Sequence, residues 1–152
     1  MDLNCAFLNV DLTEDIYMHH PQGFSTNPSL VCRLKKSLCG LKQAPRAWYA
    51  KIDRFLLSLN FVRCKSDPNV YLKLIHSSLM IIVFYVDDLL IIGSSKDEIS
   101  SLKDAMNHAF SMTNLGLLSQ FLGFEIAQTK DGIKVHQSKY NLDFLNKFKL
   151  KD

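Results

Sequence analysis

The chain has 152 residues, 47% of them hydrophobic and 22% charged, with a formal charge of +3. That length supports one domain with a real core, and the composition excludes a disordered or strongly acidic segment. The net charge is too small to imply a nucleic-acid partner. Its distribution says more: from Arg33 to Lys65 there are nine basic residues against one acid, Asp53, a stretch suited to a solvated helix face or to phosphates. Cys5, Cys32, Cys39 and Cys64 lack the short paired spacing of a zinc site. With no signal-peptide pattern at the N-terminus, they read as reduced thiols of an intracellular protein. His19, His20, His76, His108 and His136 suggest no metal cluster.

No repeat, low-complexity tract or linker interrupts the chain. Ile16 to His20 has short strand character before a turn at Pro21-Gln22-Gly23-Phe24, and Leu30 to Leu34 is a second strand, ending toward a turn at Gly40. Pro45 suits the first position of a helix, where its missing N–H costs nothing. Trp48, Ile52, Phe55, Leu56 and Leu59 then form one apolar helical face, and Asn60 can take the left-handed conformation that ends it. After a break at Asp67-Pro68, Val70 to Ile75 and Leu79 to Tyr85 read as strands around a Ser77-Ser78 turn, with Leu89 to Ile92 as a third. Ser95 and Glu98 make a capping box, opening a helix with Ile99, Leu102, Met106 and Phe110 on its apolar face. Phe121 to Ala127 and Ile133 to Val135 form a hairpin around Asp131-Gly132. Tyr140 to Phe148 is a final amphipathic helix. Helices between strands, together with hairpins, predict an α+β fold with a largely antiparallel sheet packed on helices.

The run from Leu79 to Ile92 is the most apolar in the chain. It is shorter than the roughly 20 residues of a membrane span and carries two carboxylates in its middle, so no membrane association is expected. Two apolar strands here meet at Asp87-Asp88, and continuous apolar strands imply burial on both faces. Adjacent carboxylates repel each other, and their desolvation needs a compensating positive charge. A divalent cation such as Mg²⁺ suits that requirement. A plain hairpin also accepts Asp at its turn, so this segment alone leaves both readings open.

The order of segments around this hairpin is more specific. Tyr85-Val86-Asp87-Asp88, followed by Leu89-Leu90-Ile91-Ile92-Gly93-Ser94, resembles the YxDD hairpin of reverse transcriptases. Asp2 to Leu12 is similar to the "DVKNAFLNGDL" segment of copia-type retrotransposon enzymes. Val31 to Arg46 is similar to their "VCKLKKSLYGLKQAPR", and Phe121 to Ile126 to their "FLGIEI". These segments run in family order over nearly the whole chain.

The resemblance implies a polymerase palm over residues 1–136, truncated at the N-terminus, and the start of the thumb over 137–152. It implies a site for two Mg²⁺ ions, with Mn²⁺ as a substitute, made by Asp2, Asp87 and Asp88, with Leu3 lending a backbone carbonyl. Phe7 would lie against the 2′ position of the nucleotide, and Gln43 would line the nucleotide pocket, with Ala44-Pro45 shaping the turn. Phe121, Leu122 and Gly123 would grip the primer end. Lys35, Lys36, Lys42 and Arg46 become candidate template contacts. The implied partners are an RNA or DNA template with primer, dNTPs and the remainder of a Pol polyprotein. For the intact element, the implied locations are a cytoplasmic particle and the nucleus.

Several positions depart from the family pattern. Val10 stands for a glycine, Cys39 for a tyrosine, His20 for a glutamine and Asn114 for an aspartate. If the glycine served a left-handed turn, Val10 would be strained. Only Met1 precedes Asp2, so the strand presenting that aspartate is expected to lack its N-terminal half and to leave an open sheet edge. The Met1 amine, with an ordinary pKa of ~7.7–8.0, is expected to be substantially protonated beside Asp2 and to compete with cations. Fingers, most of the thumb and RNase H are not in the sequence. The isolated chain is therefore expected to polymerise feebly or not at all. Two further readings are a non-catalytic nucleic-acid-binding remnant and a different metal-dependent phosphotransferase; the latter leaves the "LKQAPR" and "FLGFEI" segments unexplained.

Overall fold

Val70–Ile75 and Ser78–Tyr85 anchor the architecture, since every second residue of an apolar strand falls on one face that helices can cover. A computed structural model describes residues 1–24, 27 and 29–150, so the last two positions of the 137–152 segment lie outside it. The elements in chain order are β1 (Asp2–Leu3), a 3₁₀ turn (Ala6–Asn9), β2 (Tyr17–His19), β3 (Val31–Arg33), α1 (Ala44–Ser58), β4 (Val62–Arg63), β5 (Val70–Ile75), β6 (Ser78–Tyr85), β7 (Asp88–Ile92), α2 (Lys96–Ala109), β8 (Met112–Thr113), β9 (Gln120–Phe121), β10 (Phe124–Thr129), β11 (Gly132–His136) and α3 (Ser138–Lys147). The architecture is α+β, and the pairings among the described strands are antiparallel. None of the described helices is long and apolar enough to cross a membrane. All four cysteines are free.

The chain divides into two compact units, Met1–Asn114 and Leu115–Asp152. In the first, six strands form one sheet in the order β4-β5-β6-β7-β1-β8, and β2 with β3 forms a separate hairpin. α1 starts at Ala44 with Pro45 in its first turn, and Asn60, at φ 65, follows its end. α2 is capped by the Ser95 side chain, which accepts from the Glu98 N–H at 3.3 Å. Trp48, Ile52 and Leu56 from α1 meet Leu102 and Met106 from α2 over Met80, Ile82, Phe84 and Leu89 of the sheet. Each such buried side chain contributes about 1.5–3 kcal/mol.

One expectation fails here. Of the alternate residues of the same strands, Leu74 (72% exposed), Leu79, Tyr85 and Ile92 are exposed, and Leu72, Ile81, Val83 and Leu90 between them are only half-buried. The sheet is therefore covered on one face only. Its continuous apolar runs do not signify burial on both sides, because both helices pack on the same side.

Other differences are local. The β5–β6 turn is His76-Ser77, with φ 44 and 69, one residue earlier than expected, because Ile75 pairs with Ser78. β1 lies between β7 and β8 in strand order, but it pairs with β7 only at Asp2–Asp88, so among the described residues Leu90–Ile92 of β7 has no strand partner on that side, the open edge expected there. Val10 is buried and extended at φ −112, so a valine costs nothing there.

The second unit is the three-stranded sheet β11-β10-β9 and α3. The β10–β11 hairpin forms, but it turns at Lys130-Asp131, one residue earlier than expected, because Thr129 pairs with Gly132. The expected strand from Phe121 to Ala127 is instead broken at Leu122-Gly123, with φ 48 and 82. Phe121 consequently pairs with Phe124 across a second tight turn. α3 forms where expected but contains no buried residue.

Candidate active site

The β6–β7 connection is a two-residue turn, Val86-Asp87, closed by the pairing of Tyr85 with Asp88. Beside it, Asp2 of β1 is the register partner of Asp88. The Leu3 N–H donates to the Asp87 carbonyl and the Leu89 N–H to the Met1 carbonyl, both at 2.9 Å. These bonds flank the Asp2–Asp88 pair, which is therefore the non-hydrogen-bonded kind, where facing side chains come closest. Both carboxylates lie on the open face, as the buried residues Leu3 and Leu89 point to the other side.

Asp87 completes the group from the turn. One of its carboxylate oxygens is buried with no hydrogen-bond partner among the described residues, although the residue as a whole is only half-buried. Burial pushes the Asp87 carboxyl up, and the charges of Asp2 and Asp88 push it further the same way. The three carboxylates thus crowd negative charge around an acceptor that has no partner among the described residues, and their oxygens are the hard ligands that Mg²⁺ prefers. Among the described residues, no three His, Cys, Asp or Glu groups converge closely enough to form a ready-made metal cage. A divalent ion taking one or two carboxylates, and completing its shell with water, fits this set.

The Met1 amine corrects another expectation. It donates to the Leu89 carbonyl at 2.8 Å and not to a carboxylate. Burial, aided by Lys103, lowers its pKa against the opposing pull of Asp88 and Asp2, so it is a weaker competitor for the site than a free α-amine.

The remaining expected residues distribute as follows. Leu3 is buried in β1. Phe7 is in the 3₁₀ turn after β1, half-buried against the core. Gln43 is half-buried at the start of α1 and makes no side-chain cap. Lys35, Lys36, Lys42 and Arg46 are exposed, and none forms a salt bridge among the described residues. The first turn of α1 contains no acid, so Arg46 adds to the positive end of the helix dipole. Other members of the basic stretch are committed elsewhere: Arg33 pairs with exposed Asp15, and Arg63 with buried Asp53. Phe121, Leu122 and Gly123 belong to the second unit, at its β9–β10 turn.

Sequence reading placed Trp48 in the core but missed a second contact. Its indole N–H donates to the Val86 carbonyl at 2.9 Å, tying α1 to the turn. Nothing in the local pattern around position 48 signals this, because the acceptor is 38 residues away.

The family model described as "Reverse transcriptase (RNA-dependent DNA polymerase)" matches residues 1–152. The chain is 41% identical over 157 aligned positions to the Retrovirus-related Pol polyprotein from transposon TNT 1-94 of Nicotiana tabacum, covering 100% of this chain and 12% of that protein. It is 39% identical to the Retrovirus-related Pol polyprotein from transposon RE1 of Arabidopsis thaliana, over 95% of this chain and 10% of the relative. A putative transposon Ty5-1 protein of Saccharomyces cerevisiae is 35% identical over 87% of this chain and 44% of its own length. The chain thus spans only about a tenth of the plant polyproteins it matches. No solved structure matches it. With a whole-length family match, and with the Asp2 strand beside the Asp87-Asp88 turn, the chain belongs to the reverse transcriptase family, in the branch of copia-type transposon Pol proteins.

Proposed function

We propose that this chain is the palm segment, with the start of the thumb, of an RNA-directed DNA polymerase that adds dNTPs to a primer on an RNA or DNA template. The supporting observation is the Asp2–Asp88 register pair beside Asp87, whose buried oxygen has no partner. Asp2, Asp87 and Asp88 would hold two divalent ions, Mg²⁺ or, in substitution, Mn²⁺. Such ions would supply the charge that lowers the pKa of the primer 3′-hydroxyl and stabilises the leaving pyrophosphate.

The protein's own contribution is positional. β1 and β7 fix two carboxylates on a rigid sheet, which phosphoryl transfer needs more than it needs covalent participation. Phe7 would exclude the 2′-hydroxyl by clash, and Gln43 would line the nucleotide pocket, with Leu3 offering its carbonyl. Lys35, Lys36, Lys42 and Arg46 would hold template phosphates, which fits their exposure and lack of acidic partners. Phe121, Leu122 and Gly123 would bear on the primer end. The rest of a Pol polyprotein would supply the remaining contacts, so the 152-residue chain by itself would extend primers weakly or not at all.

Primer extension on an RNA template with Mg²⁺ or Mn²⁺ tests this reading, using Asp87→Ala and Asp88→Ala as controls. Robust extension that both substitutions abolish would overturn the weak-activity claim and keep the assignment. Extension indifferent to both would overturn the assignment. Salt-sensitive duplex binding unaffected by Asp87→Ala, with no extension even when the chain is part of a longer Pol protein, would favour a non-catalytic binding remnant.

A further inference from the structure

The turn bearing Asp87 and Asp88 is held in a conformation that its sequence resists. Val86 lies at φ 50, in the left-handed region that β-branched residues disfavour. The residue is 45% exposed, so burial of its side chain does not explain the geometry. Two hydrogen bonds fix the turn from outside. The Trp48 indole N–H donates to the Val86 carbonyl at 2.9 Å, and the Leu3 N–H to the Asp87 carbonyl at 2.9 Å.

The indole itself has little freedom. Trp48 is 2% exposed, with its ring centre 6.1 Å from Phe84 and 5.4 Å, edge-on, from Phe110. Phe84 lies in β6, two residues before Val86 of the turn. Trp48 therefore grips the entry to the turn by ring contact and its apex by hydrogen bond, while Leu3 ties the next residue to the strand of Asp2. Both anchors belong to rigid elements of the core.

We propose that Trp48 is a positioning residue for the paired aspartates, its indole N–H stabilising the left-handed Val86 and so aiming Asp87 and Asp88 at the reacting groups. The catalytic consequence rests on the polymerase reading above; the effect on the turn does not. Trp48 is the only tryptophan of the chain, so a single indole N–H signal reports on this bond.

The test replaces Trp48 in the whole chain with benzothienylalanine, which keeps the ring volume and substitutes sulfur for the N–H. In the wild type the indole N–H should exchange slowly with solvent. In the variant, exchange of the two amides that flank the Asp2–Asp88 pair, Leu3 (bonded to the Asp87 carbonyl) and Leu89 (bonded to the Met1 carbonyl), should accelerate about tenfold, as expected for one lost hydrogen bond, while Ile52 and Met106 keep their rates. Primer extension should lose about tenfold in kcat with KM for primer-template unchanged, a split that general loosening of the fold would not give.

A freely exchanging indole N–H, or unaltered exchange at Leu3 and Leu89 in the variant, would overturn the proposal. So would equal kcat in the two proteins where the wild type extends primers, and that outcome leaves the polymerase reading intact. Faster turn exchange in a chain that never extends primers, even within a longer Pol protein, supports the positioning role and defeats the polymerase reading.

Discussion

Replacing Asp87 with asparagine should make the metal-free protein more stable while destroying its site. Asp87 shares the turn region with Asp2 and Asp88, and burial and both neighbours raise its pKa. A carboxyl raised in the folded state binds its proton more tightly there than in the unfolded chain. Ionising it therefore destabilises the fold, and the penalty appears as pH rises from the ordinary aspartate value of ~3.9 through the higher folded value. Above that window the penalty is complete; below it there is none. Asp87 lies in the turn next to the Asp2–Asp88 pair, and like-charge repulsion at a half-exposed, salt-screened group is worth roughly 0.2–1 kcal/mol. At this chain length 1 kcal/mol corresponds to ~2–4 °C in Tm, so Asp87→Asn should raise Tm by about 0.4–4 °C at neutral pH.

Thermal melts between about pH 3 and pH 8 read this directly. The two proteins should melt together at the acid end and separate as pH rises. Mg²⁺ should then raise the Tm of the wild type and leave that of Asp87→Asn nearly unchanged, because ligand stabilisation requires the site. A variant less stable than the wild type at neutral pH, or a gap that ignores pH, would refute the electrostatic account.

The opposite pH signature is expected at Asp53. Burial alone would push its carboxyl up, but the Arg63 guanidinium at 3.0 and 2.5 Å and the Tyr71 hydroxyl at 2.8 Å hold it below the usual range. Its contribution is present at neutral pH and is lost as pH falls through the depressed value. Tyr71→Phe, at a fully buried position, removes one hydrogen bond to that charge and should cost about 1.5–3 kcal/mol, or ~3–12 °C, by thermal melt. Val86→Asn should relieve backbone strain and raise Tm by about 1–4 °C, since asparagine tolerates φ 50 better; a lower Tm would argue that the strain is not real. Lys42→Ala and Arg46→Ala should each reduce the slope of log affinity against log salt by about 1 in duplex binding followed by anisotropy. An unchanged slope would remove those residues from the interface.

What the sequence disclosed depended on how local each signal was. Pro45, Asn60 and the Ser95–Glu98 box delimit α1 and α2 because caps and helix ends are settled within one turn of chain. The Phe121–Ala127 strand was misread because Leu122 adopts φ 48, and leucine gives no warning of a left-handed residue; only Gly123 hinted at it. β4 and β8 are two residues long and exist by virtue of distant partners, Val62 with Leu72 and Leu3 with Met112. The aspartates were legible as a resemblance and a charge conflict, whereas their closeness is a matter of register. The role of Trp48 is a tertiary hydrogen bond, invisible to any window of sequence.

The turn concentrates three costs that an ordinary hairpin avoids. A left-handed valine costs about 1–2 kcal/mol, an orphaned buried oxygen about 1–3 kcal/mol, and facing carboxylates a fraction more. Against a domain stability of about 5–15 kcal/mol these are not small, and Asn-Gly in place of Val86-Asp87 would suit a two-residue turn far better. A divalent cation would relieve two of the three, the repulsion and the unmet acceptor. It would do nothing for Val86, whose strain persists whatever binds, and the Trp48 and Leu3 hydrogen bonds are what hold it. A feature that ligand binding cannot relieve, yet which two rigid elements maintain, is best understood as the means of placing the neighbouring carboxylates. On that ground Val86→Asn, the more stable turn, should also be the less active one, and a variant gaining both stability and rate would separate the strain from the function.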